Sequence, residues 1–128
     1  MTSDKKKAGG YRDLIVWQKG IALVKRVYEI TTHFPAEERF GLTSQMRRAA
    51  VSIPSNIAEG QARKSTREFI QFISNAEGSL AELDTRLELC AVLSLLKTAE
   101  TQKTAGDIQE LRRMLNSLRR RLMGAHPQ

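Results

Sequence analysis

The sequence predicts an all-α protein, an antiparallel up-down-up-down four-helix bundle, and three observations carry that expectation. Apolar residues recur at alternating steps of three and four in successive stretches, the spacing that lines side chains along one face of a helix. Aromatic residues make up only 5% of the chain, with three prolines, which argues against a β-sandwich. The stretches are joined by short connections, so consecutive helices pack most simply as antiparallel neighbours. A length of 128 residues suits one domain with one core.

Residues 1–12 read as a flexible basic tail: Lys5, Lys6, Lys7 and Gly9-Gly10 offer too little apolar surface to offset the entropy of ordering. The bundle is expected over 13–124, followed by a C-terminal tail at 125–128. Helix one spans about 14–32, with Asp13 as its N-cap and Leu14, Trp17, Ile21, Val24 and Tyr28 on one face. A second apolar stripe, Val16, Leu23, Val27 and Ile30 with Gly20 in register, runs beside the first. So wide an arc exceeds what one bundle needs to bury, and this second stripe is the expected oligomer interface. Phe34-Pro35-Ala36 breaks the pattern. Helix two follows with Leu42, Met46, Ala49, Ile53 and Ile57; Pro54 predicts a kink and Gly60 a terminus. Ser65 and Glu68 have the spacing of a capping box. Helix three, with Phe69, Ile73, Ala76, Leu80, Leu83, Leu87 and Cys90 in a coiled-coil-like seam, is expected to be the longest. The pattern lapses over 94–98 and returns in helix four at Ile108, Leu111, Leu115, Leu118 and Leu122.

Two polar stripes share one spacing of seven, four and three: Gln45, Ser52, Asn56 and Glu59 on helix two, and Glu68, Asn75, Ser79 and Glu82 on helix three. The expectation is an interhelical hydrogen-bond network that fixes register, with Ser52 and Asn56 compensating the backbone around Pro54. The alternative for the same residues is a ligand or catalytic site.

Asp13-Leu-Ile-Val-Trp17-Gln, Gln45-Met-Arg-Arg48, Ser52-Ile-Pro54-Ser-Asn56-Ile-Ala-Glu59-Gly60 and Gly78-Ser79-Leu-Ala-Glu82-Leu resemble the bacterial four-helix-bundle family encoded in intervening sequences of 23S ribosomal RNA genes. More distantly, the chain is similar to the accessory variability determinants of diversity-generating retroelements. The resemblance covers about residues 11–96; Ser94-Leu95 departs from it, standing where relatives often place glycine and an aromatic residue. It implies a homopentamer of bundles with a basic surface and a nucleic-acid role.

Formal charge is +7, and it is segregated along the chain. Residues 39–67 carry Arg39, Arg47, Arg48, Arg63, Lys64 and Arg67 against Glu59. Residues 107–128 carry Arg112, Arg113, Arg119, Arg120 and Arg121 against Asp107 and Glu110, whereas 68–100 is acidic. Arg47, Arg48, Arg63, Lys64, Arg112, Arg113, Arg119 and Arg120 are therefore candidates for phosphate contacts with RNA or DNA, blind to sequence because no groove-reading motif accompanies them. The competing reading pairs these cations with acids of helix three or of a neighbouring subunit, giving a purely structural or protein-binding scaffold.

No cofactor, metal or catalytic residue is expected. Neither histidine follows a glutamate in the Glu-x-x-His pattern of diiron bundles. Arg121 and His126 resemble the Arg-x4-6-His signature of HEPN ribonucleases, but Leu122 stands where a polar residue usually follows; a metal-independent ribonuclease is the remote alternative. Cys90, the only cysteine, belongs to an apolar seam. The single cysteine suits a reducing cytoplasm, and there is neither a signal-type segment nor a membrane-length apolar run. The expected partners are further copies of the chain, RNA or DNA, and a protein partner.

Overall fold

Apolar periodicity becomes four helices in the computed structural model, which describes residues 10–125. They are α1 (Ile15–Thr31), α2 (Ser44–Gln61), α3 (Thr66–Val92) and α4 (Thr98–Ala125). Cross-helix contacts fix their directions. Gly20 meets Pro54 and Thr31 meets Arg47, Gln45 meets Arg86 and Ser52 meets Ser79, Asp84 meets Arg112 and Glu77 meets Arg119. In each pair one number rises as the other falls, so neighbours are antiparallel in an up-down-up-down bundle.

The core is Val27, Met46, Ile53, Ile57, Ile73, Leu83, Ile108 and Leu115, all at 0% exposure, with Leu23, Leu80, Leu87 and Leu111 close behind. Each such side chain contributes about 1.5–3 kcal/mol relative to being left in water. Two threonines are sealed among them at little cost, because each hydroxyl returns a proton to its own helix: Thr31 Oγ1 to Val27 O at 2.7 Å and Thr104 Oγ1 to Glu100 O at 2.8 Å.

Helix α1 corrects the sequence reading. Val16, Leu23, Val27 and Ile30, expected to face another subunit, are 0–5% exposed in the bundle's own core. The first stripe lies outward instead, with Ile21 at 44% and Tyr28 at 43%, and Leu14, Trp17 and Val24 half-buried. Gly20 decides between them: a Cβ there would lie 3.3 Å from Pro54 Cβ. The stripe containing the smallest residue is the one α2 approaches.

The helix ends differ in detail. Gly10–Asp13 forms a 3-10 turn, bringing Gly10, Tyr11 and Arg12 out of the expected tail, while residues 1–9 lie outside the described residues. Leu14 rather than Asp13 occupies the N-cap of α1. A 3-10 turn, Ala36–Glu38, and a π turn, Arg39–Thr43, lead into α2. That helix runs through Pro54 and past Gly60 to Gln61. Gly60 lies in the last turn of α2, one residue before its end, and is also a point of close approach, since a Cβ there would fall 2.5 Å from Phe72 Cβ. Ser65 does cap α3, its Oγ accepting the Glu68 N–H at 3.1 Å. At 28 residues α4 exceeds α3 by one, and so takes the place expected of α3 as the longest.

The α3–α4 turn is a Schellman motif. Leu95 N–H donates to Cys90 O at 2.9 Å and Ser94 N–H to Ala91 O at 3.1 Å, with Ser94 held at φ 58°. Side chains avoid this left-handed region and glycine enters it freely. We expect Ser94→Gly to stabilise the fold by about 0.5–1 kcal/mol, read as a higher urea midpoint at unchanged slope. No gain in midpoint would contradict the geometry.

Candidate nucleic-acid interface

The polar stripes meet only in part. Ser52 Oγ lies 2.7 Å from Ser79 Oγ, and the Asn56 amide donates to Ser52 O at 2.8 Å and to Ser52 Oγ at 3.0 Å. This three-residue link ties α2 to α3 across a half-buried seam. Both Asn56 bonds end on Ser52, so the amide does not serve the Ala50 carbonyl that Pro54 leaves without its helical donor. Glu59 instead pairs with Arg63 at 3.1 Å, Asn75 accepts from Gln71 at 3.3 Å, and Glu68 uses its backbone N–H at the cap.

Arg86, absent from the sequence-derived candidates, extends the link. Its Nε donates to Gln45 Oε1 at 2.9 Å and its Nη1 lies 3.6 Å from Glu82 Oε2. The Glu82-to-Arg86 spacing of four was a visible signal; the partnership with Gln45 depends on the register of α2 against α3.

The eight candidate cations divide into two sets. Arg112 Nη2 sits 3.0 Å from Asp84 Oδ2, and Arg119 Nε 2.8 Å from Glu77 Oε1 with both groups about three-quarters buried. These two serve the α3–α4 contact, the structural role weighed against phosphate binding. Arg63 pairs with Glu59 and lies 4.8 Å from the Phe72 ring centroid. Arg47 Nε donates to Thr31 Oγ1 at 2.9 Å, and its guanidinium stands 4.3 Å over Tyr28. By contrast Arg48, Lys64, Arg113 and Arg120 are exposed and hold no ion pair among the described residues.

Topology sorts charge along the bundle axis. One end collects the Gly10–Asp13 turn, the α2–α3 connection and the end of α4, and with them Arg12, Arg63, Lys64, Arg67, Arg120 and Arg121 against Asp13, Glu59 and Glu68. The other end is close to balanced, with Glu29, Glu37, Glu38, Glu88 and Glu100 against Arg39, Arg47, Arg48, Lys97 and Lys103. Sequence segments alone did not place Arg12 at the same end as Arg67 and Arg121.

Arg121 Nη1 donates to Ser117 Oγ at 3.1 Å, and His126 lies outside the described residues. Among those residues no cluster has the makings of a metal site, and no helix is long and apolar enough to cross a membrane. Cys90 is buried, its Sγ 3.3 Å from Met46 Sδ. Burial pushes its thiol up from 9.0 to about 11, with the Glu38 carboxylate adding to the effect. The folded state therefore keeps its proton longer than the unfolded chain does. The stability this contributes is complete below pH 9.0 and is lost as pH rises towards about 11. Iodoacetamide at pH 8 is accordingly expected to spare the folded protein and label it in denaturant; rapid labelling of the folded form would place Cys90 at the surface.

These features define an all-α bundle whose one acidic helix is neutralised by its neighbours while cations gather at one end. The model of the 23S rRNA-intervening sequence protein family matches residues 12–117, and the chain belongs to that family. A crystal structure from Bacteroides thetaiotaomicron VPI-5482, described as a protein with unknown function from the S23 ribosomal protein family, has the same fold. It superposes with a TM-score of 0.74 at 22% identity, covering 81% of this chain and 97% of that one. No curated protein matches.

Proposed function

We propose that this chain is a non-enzymatic, cytoplasmic scaffold that assembles through the outward flank of α1 and binds nucleic acid through phosphate contacts. The observation that carries the reading is the division of cations. Where α4 meets α3, arginines are matched to acids, whereas Lys64, Arg113 and Arg120 are exposed without an acidic partner among the described residues. Cations spent on neither packing nor ion pairs remain available to phosphate oxygens.

Assembly enters because Trp17, Ile21 and Val24 form an apolar strip that the bundle leaves half open. Covering it between copies gathers several basic ends into one particle, and the gain in avidity turns weak sites into effective ones. Five copies is the number the family resemblance implies.

The test is an anisotropy titration with single-stranded RNA, single-stranded DNA and duplex from about 50 mM to about 200 mM salt. A steep loss of affinity, with a log–log slope of roughly −2 per subunit, is expected for three phosphate contacts on a single strand. Absence of binding at the lowest salt overturns the reading. It would favour the second one, a purely structural or protein-binding scaffold, for which the Arg112–Asp84 and Arg119–Glu77 pairs already speak.

A further inference from the structure

A groove of about 420 Å³ runs between α2 and α3, lined by Gln45, Arg48, Ala49, Ser52, Glu82 and Arg86. Its floor is rigid, because Ser52 is held by both Ser79 and Asn56. Its walls carry two guanidiniums of different kinds. Arg86 is only 23% exposed and anchored by Nε to Gln45 Oε1 and by Nη1 to the Glu82 backbone carbonyl at 3.4 Å, which leaves Nη2 without a protein partner among the described residues. Arg48 is exposed, free of ion pairs, and shared with an adjoining groove beside Tyr28 and Val51.

We propose that this groove binds one phosphate group, with Arg86 as the oriented donor and Arg48 closing over it from α2. A preorganised guanidinium loses little conformational freedom when it binds, and planar N–H forks match phosphate oxygens. Glu82 is the opposing charge. It is 54% exposed, and its 3.6 Å contact with Arg86 is long, so solvent screens it and an arriving dianion displaces it at small cost. The groove is roomy enough for the sugar attached to that phosphate, and the nucleic-acid source of the ligand rests on the function proposed above.

The experiment follows arginine side-chain Nε–Hε resonances of the full chain during titration with inorganic phosphate, AMP and a single-stranded oligonucleotide. Arg86 and Arg48 are expected to shift together and saturate, while Arg112 and Arg119, held by α3 carboxylates, stay in place. Arg48→Gln should abolish the Arg86 response, and Glu82→Gln should tighten phosphate binding roughly fivefold by removing one nearby negative charge. Equal shifts at every arginine, or an Arg86 response indifferent to both substitutions, would overturn the site. Saturation by the oligonucleotide at lower phosphate concentration than AMP identifies a strand as the source; equal saturation identifies a free nucleotide, and either supports the groove. Strand binding that ignores Arg48→Gln but disappears in Lys64→Gln/Arg67→Gln overturns the groove and leaves the basic-end reading standing. An Arg86 response to phosphate without any strand binding supports the groove and overturns that reading.

Discussion

Val27→Asp should unfold the protein, and Ile21→Asp should leave it folded. The two residues share α1 and both are aliphatic, yet Val27 is 0% exposed and Ile21 is 44% exposed. A carboxylate at position 27 is enclosed in the apolar core, which costs more than about 4 kcal/mol whether it ionises or takes up a proton. At position 21 the new charge reaches water, so the fold changes by less than about 0.5 kcal/mol. Far-UV circular dichroism with thermal melting reads the first effect. Light scattering reads the second, because under the proposed function Ile21→Asp reduces the assembly to single bundles. Equal melting temperatures for the two variants would restore the opposite facing of α1, and an Ile21→Asp variant that kept its subunit count would move the interface elsewhere.

Gly60→Ala should destabilise the bundle by about 2 kcal/mol, lowering the melting temperature by roughly 8 °C. Alanine in place of a mid-helix glycine ordinarily gains about 1 kcal/mol. Here the added methyl falls 2.5 Å from Phe72 Cβ and 3.0 Å from Phe69 Cδ1, both on the first turns of α3. Backbone must move before it fits. Gly78 and Gly106 supply the control, since a Cβ at either meets nothing within 4 Å, so Gly78→Ala and Gly106→Ala should raise stability. If all three variants melted higher, α2 and α3 would not approach as closely as the structure has them.

How much of this was legible beforehand follows from what periodicity encodes. The seam of α3 was plain because each of its seven positions, at alternating steps of four and three from Phe69 to Cys90, carries an apolar residue, and all seven are buried. The beginning of α4 was not, since Thr104 fills a core position with a hydroxyl that bonds its own backbone, and a count of apolar residues passes over it. On α1 both stripes are apolar, so hydropathy alone could not say which turns inward. The answer lay in Gly20 and its pairing with Pro54 thirty-four positions later, a tertiary fact. The candidate cations were legible as a population and not as a surface. Whether Arg119 or Arg120 is available to a ligand depends on one step of helix rotation, which turns the first onto Glu77 and the second into solvent.

The lopsided distribution of charge between the two ends of the bundle also sets how the molecule meets an extended polyanion. A net charge of +7 attracts from any direction, but an electric dipole along the long axis exerts a torque as well. Under the proposed function, the protein turns its basic terminal face towards the polymer before the surfaces touch, and fewer encounters are wasted on the wrong side. If copies sit parallel in a ring, their dipoles add, and the whole particle docks face-on.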